Sequence, residues 1–296
     1  MNDLFAQPAV ADVSLPAITA IAPWFGGKRT LAPRIVSLMR PHRCYWEPFV
    51  GGISVVLVKP PAPMETINDL NGEITNLARV LASPACEDLY ARLQRTVMSE
   101  QLHAEAAQRW KARGITPAPD VPDLERAYDY FLCAWLGRNG VAGTSSYNNG
   151  FCVRYTANGG HAAKRFRSAV ESIFDWHERL RNVTILNRDG FELLGRIEDE
   201  PKTVIYLDPP YVEKRAKYIH DFAPKDHRRL RESVERFRKA QVIVSYYDHP
   251  KVRELYAGWR FIDCTMTKSL VSAGMRAKGG TTVAPEVLIV NEGGGA

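Results

Sequence analysis

The sequence predicts an α/β fold: a seven-stranded sheet sandwiched by helices and interrupted by a long helical insertion. Two observations predict it. Seven short β-rich runs, at 44–46, 65–68, 183–186, 203–207, 242–246, 261–265 and 286–290, alternate with longer helical stretches, and an alternating chain covers both faces of a sheet with helices. The spacing of these runs is also uneven, because between Asn71 and Arg181 no convincing core strand occurs.

The length of 296 residues, 45% hydrophobic and 24% charged, suits one large domain with an insertion, or two modest domains. It excludes a disordered tail protein, a collagen-like repeat and a disulfide miniprotein. Thirty-nine Lys and Arg against thirty-three Asp and Glu leave a net charge of +6, compatible with a polyanionic partner. Cys44, Cys86, Cys133, Cys152 and Cys264 are scattered, with no C-x-x-C pair or matching His spacing, so neither disulfides nor a metal is expected. A reduced, cytoplasmic setting follows, with no membrane association, since no apolar run has spanning length and the N-terminus lacks a basic, then apolar, export signal.

Residues 1–19 read as a flexible leader and 292–296 as a flexible tail. Between them, 20–71 and 182–291 form the expected α/β sheet domain, and 72–181 the insertion. Helical periodicity runs over 73–81 and 87–109, is broken by Pro117, Pro119 and Pro122, and resumes over 124–136. A loop of Gly, Ser and Asn follows at 137–149. The next segment carries Arg154, Lys164, Arg165 and Arg167 without an acid.

The most informative residues are Asp208, Pro209, Pro210 and Tyr211, directly after the apolar run 203–207. Ligand sites of open α/β sheets lie beyond the carboxyl ends of strands. The prolines remove two N–H donors and fix the preceding carbonyls, leaving a rigid loop rich in acceptors. Such a loop suits an exocyclic amino group: the Asp208 carboxylate and a backbone carbonyl accept its hydrogens, and Tyr211 offers a face to the attached ring. The alternative is a plain proline-rich turn.

Two further segments point to a nucleoside-bearing ligand. Glu47-Pro48-Phe49-Val50-Gly51-Gly52 forms a glycine-rich turn after the first strand, and Asn68-Asp69 ends the second strand with a carboxylate suited to ribose hydroxyls. Pro23-Trp24-Phe25-Gly26-Gly27-Lys28 is not a phosphate-binding P-loop, because Ala22 stands where its first Gly belongs and Arg29 where Ser or Thr belongs. Each piece has a structural reading: Gly51-Gly52 a tight turn, Asp69 a helix cap, Trp24 a core aromatic.

In order and placement these motifs resemble the Dam-like, D12 class of adenine-specific DNA methyltransferases over nearly the whole chain. Trp24-Phe25-Gly26-Gly27-Lys28 resembles its W-x-G-G-K, Glu47-Pro48-Phe49-Val50-Gly51 its E-P-F-x-G, Asp69-Leu70-Asn71 its D-x-N, and Asp208-Pro209-Pro210-Tyr211 its D-P-P-Y. Gly279-Gly280 with Pro285-Glu286 resembles its C-terminal signature. The resemblance implies a mixed, mainly parallel sheet of the class I S-adenosylmethionine-dependent type, with the insertion as a DNA-recognition domain. It implies S-adenosyl-L-methionine as methyl donor, contacted by Trp24, Lys28, Glu47, Phe49, Gly51, Asp69 and Asp208. Asp208 to Tyr211 would be catalytic and double-stranded DNA the partner, bound by a monomer or weak dimer, with the recognition sequence and any restriction endonuclease partner left open. Alternatives are amino methylation of cytosine N4, RNA or protein glutamine, and an inactive DNA-binding descendant.

Two departures from the family pattern stand out. Its second glycine after E-P-F is Ile53 here, and its N-R-x-x-F/Y-N-G becomes Gly137-Arg138-Asn139-Gly140-Val141-Ala142-Gly143. Losing an aromatic wedge and a base-reading amide weakens a GATC assignment. Arg138, Arg154, Lys164, Arg165 and Arg167 are then expected on the DNA backbone, joined by Lys214, Arg215 and Lys217 after the catalytic loop. The bland alternative for any one of these cations is a solvated face. Alanine at Lys214, Arg215 and Lys217 together is expected to flatten the salt dependence of duplex binding by roughly one unit of log–log slope for each phosphate no longer neutralised. An unchanged slope in a salt titration assigns these cations to solvent.

Overall fold

The computed structural model describes residues 16–24, 26–138, 150–153, 161–212, 218–267 and 283–291. In chain order the elements begin α1 (Ala32–Ser37), β1 (Cys44–Glu47), α2 (Ser54–Val58) and β2 (Met64–Asn68). Six helices follow: α3 (Gly72–Ala82), α4 (Ala85–Gln94), α5 (Glu100–Arg113), α6 (Leu124–Leu136), α7 (Ala162–Glu171) and α8 (Ile173–Leu180). The chain then returns to alternation with β3 (Thr184–Leu186), α9 (Gly190–Arg196), β4 (Thr203–Leu207), α10 (Pro224–Glu235), β5 (Gln241–Tyr247) and α11 (Pro250–Leu255). It closes with β6 (Arg260–Asp263), β7 (Met266–Thr267), β8 (Val283–Ala284) and β9 (Glu286–Val290).

Seven strands form one sheet in the order β3-β2-β1-β4-β5-β9-β6. The five strands from β3 to β5 are parallel, and β9 runs antiparallel between β5 and β6. This is the mixed, mainly parallel sheet of the class I methyltransferase type. The central strands β4 and β9 are buried throughout, as their uninterrupted apolar runs require when helices cover both faces. Alternation sorts their side chains: Val204 and Tyr206 join the core on one face, Ile205 and Leu207 the core on the other.

Between β2 and β3 the helices pack on the first of these cores. α6 is buried from Arg126 to its end, the mark of a helix enclosed on all sides. Trp135 Nε1 on α6 donates to the Ile21 carbonyl at 3.0 Å, and Trp176 Nε1 on α8 to the Ile18 carbonyl at 2.7 Å. Ile18, within the expected leader, is therefore buried beneath the helical segment. Arg179 on α8 forks onto Glu65 of β2 at 2.6 and 2.9 Å, and Lys59 completes that buried group at 2.6 Å. The segment thus shares a core with the sheet.

The pattern at 87–109 predicts one helix where the structure has two, α4 and α5, parted at 95–99. Ser99 accepts the Leu102 N–H and so caps a new helix start. The run at 261–265 stops early as β6, because the Asp263 carboxylate accepts both the N–H and the hydroxyl of Thr265 and turns the chain. Sequence periodicity gives no sign of the short β7–β8 pair. No helix among the described residues is long and apolar enough to cross a membrane.

Arg126 on α6 binds Glu73 of α3 through Nε at 3.0 Å and donates to the carbonyls of Thr116 and Pro117, fastening the proline-rich loop onto the core. Removing one partner leaves the other charge buried and unpaired. Arg126→Ala is expected to lower the unfolding free energy by about 3–5 kcal/mol, read from urea denaturation.

Candidate active site

The carboxyl ends of β1, β2, β3 and β4 open into one cavity of about 260 Å³. Trp24, Lys28, Glu47, Phe49, Gly51, Asp69, Asp208, Pro209, Pro210 and Tyr211, all expected at the site from sequence, line it. Two of the loops are fastened by Asn68 at the end of β2. Its amide donates to the carbonyls of Pro48 (2.9 Å) and Arg188 (3.0 Å), and its oxygen accepts the Arg188 N–H at 2.9 Å.

Asp69, the next residue, accepts the N–H groups of Gly51 (2.8 Å) and Asn71 (2.9 Å). It is not the helix cap that its position also allowed, since Asn71 caps α3 through the Glu73 and Ile74 N–H groups. Burial raises the Asp69 carboxyl to about 6 despite these backbone bonds. Gly51 has φ +48°, and a Cβ there would stand 2.8 Å from Trp24 Nε1. The glycine therefore allows the indole to close over the loop, and Trp24 serves the core and the cavity together.

Ile53, where the family pattern has glycine, is the one described non-glycine residue with positive φ, at φ 65° and ψ 23°. Its backbone takes the left-handed turn that glycine adopts freely, at a cost of order 1–3 kcal/mol. Complete burial of the side chain offsets that strain. The substitution leaves the turn into α2 in place.

Lys28 is buried, and its ammonium contacts Asp208 Oδ1 at 2.8 Å and the Gly26 carbonyl at 2.8 Å. Burial pushes the Asp208 carboxyl up, and Lys28 opposes that push. The same ammonium lies 5.1 Å from the centre of the Tyr211 ring. Glu47 accepts the Tyr45 hydroxyl at 2.7 Å, and burial raises its carboxyl to about 8.

The structure adds residues that the sequence pattern missed. Asp189, Gly190 and Phe191 line the cavity directly after β3, where the strand-end rule already pointed. A Cβ on Gly190 would come within 2.5 Å of Phe49, so glycine lets that ring pack closely. Phe191 stacks on Phe222 at 5.4 Å, and both meet Phe49 edge-on. Phe222 and Tyr218 reach the wall from beyond the catalytic loop, with no local sequence signal. Ser54 Oγ and the Asn71 amide nitrogen are buried without a partner among the described residues, and both residues line the cavity. Unpaired donors beside carboxylates and aromatic faces fit a polar nucleoside.

Of the expected DNA contacts, Arg138 and Lys164 are exposed. Arg165 instead donates to the carbonyls of Trp135 and Gly137 at the end of α6, and Arg167 to those of Leu93, Gln94 and Thr96 at the end of α4. Unpaired carbonyls at a helix C-terminus attract such cations. Gly137 and Phe151 form an antiparallel bridge, and Arg138 N–H donates to the Gly150 carbonyl, closing the neck of the glycine-rich loop. Arg154, Lys214, Arg215 and Lys217 lie outside the described residues, as do Phe25, Val141, Ala142, Gly279 and Gly280.

The sheet is the mixed, mainly parallel one expected from the sequence, and its loops gather at the strand ends around one cavity. The sequence matches the D12 class N6 adenine-specific DNA methyltransferase family over residues 24–270, and the chain belongs to that family. Among solved structures it is similar to SMU.472, assigned as a methyltransferase and crystallised with SAH, at 11% identity and a TM-score of 0.35. That alignment covers 96% of this chain and 56% of the other, so this chain spans little more than half the length of that protein. No curated protein matches the sequence.

As the expected ribose contact, Asp69 would accept hydroxyls in its ionised form. Its carboxyl is raised, so that form is present above about 6 and lost as pH falls through it. Binding of S-adenosylhomocysteine, measured by calorimetry, is expected to weaken below pH of about 6. Asp69→Asn should bind weakly throughout, without that dependence.

Proposed function

We propose that this protein transfers a methyl group from S-adenosylmethionine to N6 of adenine in duplex DNA, after the base has left the stack. Family membership supports the reaction, and the observation that carries the cofactor reading is one cavity lined by both Asp69 and Asp208. The donor supplies an electrophilic methyl on a sulfonium. Asp69 holds the ribose hydroxyls, and the partnerless Ser54 and Asn71 groups complete the polar contacts.

Asp208 and a carbonyl of its proline-restricted loop accept the hydrogens of the target amino group. Lys28 fixes the carboxylate in direction and favours its ionised form. The nitrogen lone pair would then be aimed at the methyl for a single in-line displacement: the N–C bond would form as the S–C bond breaks, the neutral thioether would leave, and the surplus amino proton would pass to solvent, without a covalent enzyme intermediate. Positioning of this kind contributes up to about 7–11 kcal/mol. Leaving the stack costs the base a few kcal/mol, and Tyr211 offers it an aromatic face.

Arg138 and Lys164, beside the neck of the glycine-rich loop, hold DNA phosphates together with Arg154, Lys214, Arg215 and Lys217. Arg165 and Arg167 support the helix ends behind them. With Val141 and Ala142 in place of an aromatic and an amide, recognition is relaxed relative to GATC.

Nucleotide-resolution mapping of DNA exposed to the enzyme is expected to find N6-methyladenine beyond GATC sites. Strict GATC modification would contradict the relaxed reading. Asp208→Ala is expected to lower labelled methyl transfer by at least ~10²–10³-fold, and undiminished transfer would overturn the role given to Asp208.

A further inference from the structure

We infer that Glu286 is a positioning residue for methyl transfer, acting through the hydroxyl of Tyr211. Glu286 is the first residue of β9 and is buried, and its Oε2 accepts the Tyr211 hydroxyl at 2.7 Å. The catalytic loop follows β4, which pairs with β5 and not with β9, so this contact reaches across a strand. It forms because β9 runs antiparallel: its first residue lies opposite Tyr247, the last residue of β5, at the sheet edge where the parallel strands deliver the cavity.

The same strand pair holds the ring from a second direction. Tyr247 packs edge-on against Tyr211, with ring centres 4.6 Å apart and planes 77° apart. Tyr246 lies 5.6 Å away, and the Lys28 ammonium is 5.1 Å from the ring centre. Burial and the neighbouring carboxylates hold the Tyr211 phenol far above its ordinary range, so it remains a donor throughout the working pH. A buried carboxylate that accepts this hydroxyl fixes the ring before any base arrives, and ordering done in the free enzyme need not be repeated on binding.

This inference rests on the reading that Tyr211 faces the target base. It predicts that the hydroxyl and the carboxylate act as one unit, which a double-mutant cycle isolates. In single-turnover methylation of duplex DNA by the full chain, Tyr211→Phe and Glu286→Leu should each lower the transfer rate by about tenfold, the scale of one hydrogen bond. The double variant should be no slower than either single variant. Affinity for S-adenosylhomocysteine should hold in all three, and Glu286→Gln, which keeps an acceptor oxygen, should recover most of the rate. Losses that multiply to about a hundredfold in the double variant, a Glu286→Leu enzyme as fast as wild type, or a Glu286→Gln enzyme as slow as Glu286→Leu would each overturn the inference. If wild-type enzyme transfers no methyl to DNA adenine, the functional reading fails instead, and that outcome is separate from any result of the cycle.

Discussion

The buried amide of Asn68 is the contact on which the site depends. One side chain at the end of β2 fastens the loop after β1 and the loop after β3, through Pro48 and Arg188. Two further bonds extend the fastening: the Asn68 carbonyl accepts the Val50 N–H, and the Asp69 carbonyl accepts the Asn187 side-chain amide. Three loops that sequence places far apart are thereby held as one rigid edge. Each hydrogen bond contributes about 1 kcal/mol, and leaving such an amide buried and unpaired costs more than the bonds themselves contribute. A cavity built on that edge has its shape before a ligand enters.

Electrostatics in the cavity follow from the same enclosure. Burial raises Glu47 to about 8 and Asp69 to about 6, whereas Asp208 has Lys28 against it as a counter-charge. These three of the pocket's carboxyls thus have three environments: a hydroxyl donor, two backbone N–H groups and an ammonium. Only the last carboxyl belongs to the Asp208–Tyr211 loop. The division of roles comes from what stands beside each carboxyl, since the residue types alone do not distinguish them.

The helical segment is joined to the sheet by burial and by charge. Trp135 and Trp176 reach the backbone ahead of the first helix, and Arg179 reaches Glu65 on β2. Of the cations expected on DNA, Arg165 and Arg167 close helix C-termini, while Arg138 and Lys164 are exposed.

By itself, the sequence determined what short-range chemistry controls. Strand runs such as Thr203–Leu207 and Glu286–Val290 and the helix Leu124–Leu136 were legible from alternation, apolar density and flanking turn residues. So were the loops carrying Glu47, Asp69 and Asp208, because ligands gather at strand ends. Tertiary structure decided what depends on which strands become neighbours. Asp189 and Phe191 follow a strand end that carried no motif, Phe222 comes from beyond the Asp208–Tyr211 loop, and Glu286 reaches Tyr211 only because β9 is reversed between β5 and β6. Local periodicity fixes the two faces of a strand but not its direction in the sheet, and a charged residue carries no label for the carbonyls or carboxylates it will meet.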